Sequence, residues 1–527
     1  MKTNFHNPIL AGCYPDPSIC RAGEDFYLVT STFEYFPGLP IFHSRDLVHW
    51  RQIGHALTRE SQLPLKDVPS SCGLYAPTIR YHHGRFYIIN TLVGGKTHSG
   101  NFIVTATDPA GPWSEPVWLE GADGIDPSLF FDSNGRTWYV GSRMARHALF
   151  EGHTEIWLQE LDLQTMRLMG EPIILWDGAL KGARWAEAPH LYKMDGWYYL
   201  IIAEGGTGHH HAVTIARSRI VTGPYESNPG NPVLTHRHLG LDYPIVGTGH
   251  ADLVETPGGE WWAVLLAMRP YGGYFYNLGR ETFLVPIRWE EGWPIFSPGT
   301  GRVEFEYPAP NLPPQPWPPF PARDDFDTET LSLVWNSLRV SPEQFSSLKE
   351  RPGFLRLYLR PEQLSEHAGP AFIGRRQQHV SFTAQTKFEF TPASANECAG
   401  LALNQSPDYH YRFIVTREEQ PVLRLVRRAA GVDEILVQKP ISVPSIRLKI
   451  EARGQDYSFY FADETGNWRA LFENADGRIL STPVAGGFIG AYVGMYASSN
   501  GQPANHWADF DWFEYNALNE NPVQSEE

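Results

Sequence analysis

Charge is what this chain has little of. Asp, Glu, Lys and Arg make up 19% of its 527 residues, below the usual quarter, so long helices with a charged outer face are disfavoured. Basic runs are missing, and the formal net charge is -16 with a pI near 5.7. Nucleic acid and anionic membrane surfaces both require clustered Lys and Arg, so neither is expected as a partner. No apolar stretch approaches the roughly 18 residues that span a bilayer. Met1 to Pro8 has no apolar segment of the secretory kind, and a cytoplasmic location is the expectation. The four cysteines, Cys13, Cys20, Cys72 and Cys398, have neither metal-site spacing nor the density of a disulfide framework. What the chain does have is 13% aromatics, 42% hydrophobic residues, 48 glycines and 43 prolines. That composition builds a core and describes a turn-rich β protein.

The chain repeats itself at intervals of about 50 to 60 residues. Asp16-Pro17-Ser18-Ile19 precedes Phe26-Tyr27-Leu28-Val29, and Ala76-Pro77-Thr78-Ile79 precedes Phe86-Tyr87-Ile88-Ile89. Asp126-Pro127-Ser128-Leu129 precedes Trp138-Tyr139-Val140, and Ala188-Pro189-His190-Leu191 precedes Tyr198-Tyr199-Leu200-Ile201. His250-Ala251-Asp252-Leu253 precedes Trp261-Trp262-Ala263-Val264. Each copy reads as a strand, a glycine-containing turn and an aromatic-rich strand. Five such units predict a five-bladed β-propeller over residues 1–307, in preference to a solenoid, which would show polar capping repeats.

Proline supplies more than half of Pro308 to Pro321. Residues 308–322 are therefore read as a stiff linker. Beyond it, Leu355 to Leu359, Gln385 to Phe390 and Ile446 to Ile450 alternate with period two. Residues 323–527 are expected to form a β-sandwich, with an acidic tail from about Asn516. The fold class is thus all-β, a propeller followed by a sandwich.

In a propeller the innermost strands line one channel, so matched repeat positions converge. Here those positions are Asp16, Ala76, Asp126, Ala188 and His250, with Glu187 just before Ala188. Three carboxylates at one phase should meet at one mouth, where like charges cost stability. An isolated Asp-Pro more often caps a turn; three at matched phase point to chemistry. A residue before proline is biased to extended geometry, which would hold such a side chain at the start of a strand. Paired carboxylates suit glycoside hydrolysis, one protonating the leaving oxygen while the other activates water or attacks the anomeric carbon.

On these residues the sequence resembles glycoside hydrolase family 43, specifically its β-xylosidases with an appended sandwich. The strongest motifs are Tyr14-Pro15-Asp16-Pro17-Ser18, Gly124-Ile125-Asp126-Pro127-Ser128 and Trp185-Ala186-Glu187-Ala188-Pro189-His190. Tyr75-Ala76-Pro77-Thr78, Gly247-Thr248-Gly249-His250-Ala251-Asp252 and Leu278-Gly279-Arg280-Glu281-Thr282 support them. The resemblance implies Asp16 as general base, Glu187 as general acid and Asp126 as the group that tunes and orients the acid. It implies inversion, with acid and base roughly 6.5–9.5 Å apart to admit water. It also implies Arg280 on the sugar hydroxyls of the terminal subsite and Phe33 and Tyr75 as its walls. Relatives often carry Trp at the position of Tyr75. Some hold Ca²⁺ at the position of His250, so His250 is a candidate for a calcium site or for a hydrogen bond in the channel; the chemistry itself requires no cofactor.

His209-His210-His211 is read as a turn rather than a metal cluster, because consecutive strand residues face opposite ways; His211 could still reach the pocket. The resemblance implies that a sandwich loop narrows the active-site mouth, and Tyr496 to Trp507 is the candidate. The expected activity is exo-acting 1,4-β-xylosidase on short xylooligosaccharides, with α-L-arabinofuranosidase activity as the near alternative. A retaining fructan hydrolase is disfavoured, since the Trp-Met-Asn-Asp-Pro and Arg-Asp-Pro motifs are missing. A non-catalytic sugar-binding propeller does not explain three matched acids. Homo-oligomers are common in the family and are expected here.

Overall fold

The computed structural model describes residues 4–180, 182, 184–442, 444–462 and 466–518. The five repeats fold into five antiparallel sheets. Their innermost strands are Ser18–Ala22, Thr78–His82, Ile125–Phe131, Glu187–Met194 and Val246–Glu255. The aromatic-rich segments form the second strand of each blade: Asp25–Val29, Arg85–Val93, Thr137–Met144, Trp197–Glu204 and Trp261–Met268. Successive innermost strands touch one another, and the fifth touches the first, so the ring closes. Closure is reinforced by Asn4–His6 pairing with Glu306–Pro308 and by a bridge between Leu10 and Thr282. No helix is long and apolar enough to cross a membrane among the described residues.

The channel below the mouth is bolted by one buried ion pair. Asp252 on the fifth blade accepts from Arg80 on the second at 2.8 Å and 3.2 Å. It also accepts from Ser18 Oγ on the first blade at 2.6 Å and from the hydroxyl of Tyr192 on the fourth. Arg80 reaches His190 Nδ1 at 2.9 Å, and that nitrogen lies 3.2 Å from Ser128 Oγ on the third blade. All five innermost strands thus share one network. Burial alone would raise the Asp252 carboxyl; Arg80 outweighs it and holds the group well below the usual carboxylate range.

The segment from 323 onward forms two eight-stranded sheets around a core that includes Phe382, Phe388, Leu401, Met495 and Phe510. Ser381–Glu389 alternates half-buried and buried residues throughout, as its period-two pattern requires. The edge of one sheet is Tyr35–Phe36, which belongs to a loop of the first blade and pairs with Asn336–Leu338. Propeller and sandwich therefore share a sheet. Buried Arg376 adds a second tie, donating to the Cys13 carbonyl at 2.7 Å and to Asn336 Oδ1 at 2.9 Å. The proline-rich segment lies along the propeller. Its Asn311 N–H donates to Glu260 at 2.8 Å and its Gln315 N–H to Asp46 at 2.7 Å. The last strand is Trp507–Ala517, which includes Asn516, and the acidic tail from 519 lies outside the described residues.

Removing one partner of a buried, hydrogen-bonded ion pair leaves the other charged and unpaired. Arg80→Leu is expected to cost about 3–5 kcal/mol, read as a lower melting temperature and an earlier denaturant midpoint. A variant as stable as its parent would mean that the bolt contributes nothing to closure.

Candidate active site

The channel mouth holds a pocket of about 440 Å³ including its opening, and Asp16, Asp126, Glu187, His250, Arg280, Phe33 and Tyr75 all line it. The way the carboxylates enter differs from the extended geometry that proline was expected to impose. Asp16, Asp126 and Ala188 each precede a proline yet have φ of 54°, 52° and 53°, and His250 has φ 54°. At Asp126, Ala188 and His250 the reason is a β-bulge. Register shifts lie between Ile125 and Ser128, between Glu187 and His190, and between Gly249 and Asp252. A bulge re-aims the side chain of its extra residue, and in these blades that residue lies in the left-handed region. Asp tolerates that region better than most residues, but each instance stores about 1 kcal/mol or more.

Two donors face Asp16. Arg280 Nη1 donates to Oδ1 and the Ser31 hydroxyl to Oδ2, both at 2.6 Å. His250 Nδ1 stands 3.7 Å from Oδ1. Burial lowers the His250 pKa and pushes that of His211 down to about 4, so both rings are neutral near pH 7. His211 enters the pocket with Nδ1 3.0 Å from the Gly247 carbonyl, and Gly249 leaves it room: a Cβ there would lie 2.4 Å from the ring.

Asp126 and Glu187 experience a different environment. Burial raises the Asp126 carboxyl, Asp16 raises it further, and the Ala188 N–H and Arg280 only partly oppose. Burial likewise lifts Glu187 well above the ordinary range, with Asp126 and then Asp16 adding to it. The carboxyl of Glu187 makes no side-chain hydrogen bond among the described residues. One pocket thus pairs Asp16, met by a cation and a hydroxyl, with Glu187, whose hold on its proton burial and two neighbouring carboxyls strengthen.

Several pocket residues carried no sequence signal. Thr207 sits after the second strand of blade four and accepts from Arg280 Nη1 at 3.2 Å. Phe488 comes from the sandwich, and it corrects the expected cap: the pocket is met by the turn around Phe488, not by Tyr496 to Trp507. Tyr496 points into the buried cluster between the domains, and Trp507 packs under Arg356. The Phe488 turn is pinned on several sides. Its N–H donates to Ser71 Oγ at 2.9 Å, and its carbonyl accepts from Arg280 Nη2 at 3.1 Å. The Ala491 N–H donates to the Asn277 carbonyl at 2.7 Å. Gly490 permits this approach, since a Cβ there would meet the Leu278 carbonyl at 2.8 Å. Phe33, Tyr75 and Phe488 form a three-ring wall with centroids 5.7–6.1 Å apart.

The family model for glycosyl hydrolases family 43 matches residues 5–294, and that for the β-xylosidase C-terminal concanavalin A-like domain matches 323–516. The chain belongs to glycoside hydrolase family 43. It is a glycoside hydrolase of the β-xylosidase-like kind. A xylosidase/arabinosidase of Butyrivibrio fibrisolvens is 46% identical over 96% of this chain and 98% of its own. A non-reducing end α-L-arabinofuranosidase of Bacteroides ovatus is 43% identical over 98% of this chain and 96% of its own. The crystal structure of a xylan β-1,4-xylosidase from Bacillus halodurans superposes with a TM-score of 0.93 at 37% identity, covering 97% of this chain and 99% of that one.

The raised carboxyls of this hydrolase hold protons at pH values where the unfolded chain has lost them. Their contribution therefore favours the fold in acid and is lost as pH rises past the ordinary carboxylate range. Glu187→Gln removes one such group. The variant should melt above its parent near pH 8, and the gap should shrink toward pH 4. A gap that does not change with pH would contradict the burial-driven shift.

Proposed function

We propose that the enzyme is an exo-acting, inverting 1,4-β-xylosidase of short xylooligosaccharides. Asp16 draws the proton from a water that attacks the anomeric carbon, and Glu187 protonates the departing oxygen. Asp126 keeps Glu187 protonated and, through its bond from the Ala188 N–H, fixes the strand that carries it. Arg280 orients Asp16; its buried Nε–H has no partner among the described residues, and a sugar hydroxyl would satisfy it. The observation that carries the reading is the unequal environment of Asp16 and Glu187 in one closed pocket. The wall of Phe33, Tyr75 and Phe488 supports action on chain ends, because it narrows the site to a pocket. The names of the relatives support α-L-arabinofuranosidase activity as a second reading, since a furanose could present a similar set of hydroxyls to Arg280.

Among the described residues no three His, Cys, Asp or Glu side chains group as a metal site. Such side chains therefore do not by themselves surround His250 as a calcium cage. Calcium enters the proposal only as a hydrated ion with one imidazole donor, which chelation and readdition would decide, and no step depends on it.

Leaving groups separate acid from base. An aryl xyloside with an acidic phenol departs with little protonation, whereas xylobiose needs a proton. Glu187→Ala should lose about 10²–10⁴-fold on xylobiose and far less on the aryl substrate. Asp16→Ala should lose similarly on both. The parent should turn over aryl β-xyloside faster than aryl α-L-arabinofuranoside. Asp126→Asn should move the alkaline limb of kcat/KM downward, since a negative neighbour of the acid is gone. Equal losses for Glu187→Ala on both substrates would remove it from the acid role.

A further inference from the structure

The acid side of the pocket has a rim that the reading above leaves unused. Trp185 stands two residues before Glu187 and is 38% exposed. Its φ is 58°, a strained conformation for so bulky a residue. Its N–H donates to the Gly152 carbonyl at 2.8 Å. The indole lies against two glycines: a Cβ on Gly152 would come within 2.8 Å of the ring, and one on Gly206 within 3.1 Å. Gly206 precedes Thr207, which lines the pocket and bonds Arg280. The ring is therefore fixed between a loop of blade three and a loop of blade four, beside the position from which Glu187 enters the pocket.

Stability does not account for this arrangement. The strained backbone is kept at an aromatic side chain that is left 38% exposed. Met144, Leu149 and Leu180 are exposed by 54%, 83% and 39% on the segments that flank it. Large apolar side chains left in solvent on segments beside a pocket suit a binding surface.

We propose that Trp185 is the platform for the departing sugar. Glu187 must reach the scissile oxygen, so the sugar leaving through that oxygen lies on the Glu187 side. Phe33, Tyr75 and Phe488 wall the pocket that takes the terminal sugar. A xylopyranose ring presents a face of C–H bonds, which suits the negative face of an indole. The second sugar of a β-linked xylooligosaccharide stacks on Trp185, and further sugars run over Met144, Leu149 and Leu180. The inference rests on the proposed function. It adds that affinity for the leaving group resides in one residue.

The test compares xylobiose and xylotriose with β-xylopyranosyl fluoride, whose leaving group is a single atom with nothing to stack. For Trp185→Ala the ratio of kcat/KM on xylobiose to that on the fluoride should fall about tenfold or more, mostly through KM. Trp185→Phe, which keeps a flat ring, should recover most of it. Thermal melting reports whether each variant is folded. If the alanine variant does not fold, Trp185→Leu keeps bulk without a flat face and should show the same fall. An unchanged ratio in a folded variant would overturn the platform and leave the hydrolase reading standing. A parent that hydrolyses neither xylobiose nor the fluoride would overturn the reading itself and the platform with it.

Discussion

The guanidinium of Arg280 carries the constraint around which the site is arranged. Three carboxylates enter one buried pocket, and Arg280 is the cation among its lining residues. It gives its charge mainly to Asp16, at 2.6 Å. Its other contacts are Thr207 on blade four and the Phe488 carbonyl from the sandwich. One side chain therefore holds Asp16, locates a pocket wall and binds the two halves of the chain together. Glu187 and Asp126 are left without comparable compensation. Burial and that imbalance raise the carboxyls of Glu187 and Asp126.

Such a pocket is unfavourable in itself. It gathers like charges and places Asp16, Asp126, Ala188 and His250 in left-handed backbone. Strain persists only where the surroundings over-determine it. Here the surroundings are the Arg80–Asp252 network below the mouth, which ties all five innermost strands, and the sheet shared through Tyr35–Phe36. The sandwich has a similar function. It supplies Phe488, and its docking through Gly490 and Ala491 fixes that ring to within the tolerance of close backbone contact.

Much of this was legible in the sequence because a propeller turns repeat phase into radial position. Asp16, Asp126 and His250 share one phase, and Glu187 is one residue removed, so their convergence followed from counting. Arg280 and the aromatic walls came through family likeness. Local rules failed where tertiary geometry overrode them. The preference of a pre-proline residue for extended backbone gave way to the bulge, because the channel requires those side chains to turn inward. Phe488 lies about 470 residues from Asp16 along the chain, and no local pattern announces which sandwich turn will reach the pocket. Tyr496 looked suitable by composition, but strand alternation points it into the buried core between the domains.

The central claim is that Asp16 activates water on one face of the sugar while Glu187 protonates the oxygen on the other. The stereochemistry of the first product tests it most directly. Proton NMR during early hydrolysis of xylobiose or an aryl β-xyloside reads the anomer before mutarotation mixes it. The account predicts that α-xylose is released first. β-Xylose as the first product would contradict it, since retention requires a carboxylate that attacks the sugar itself.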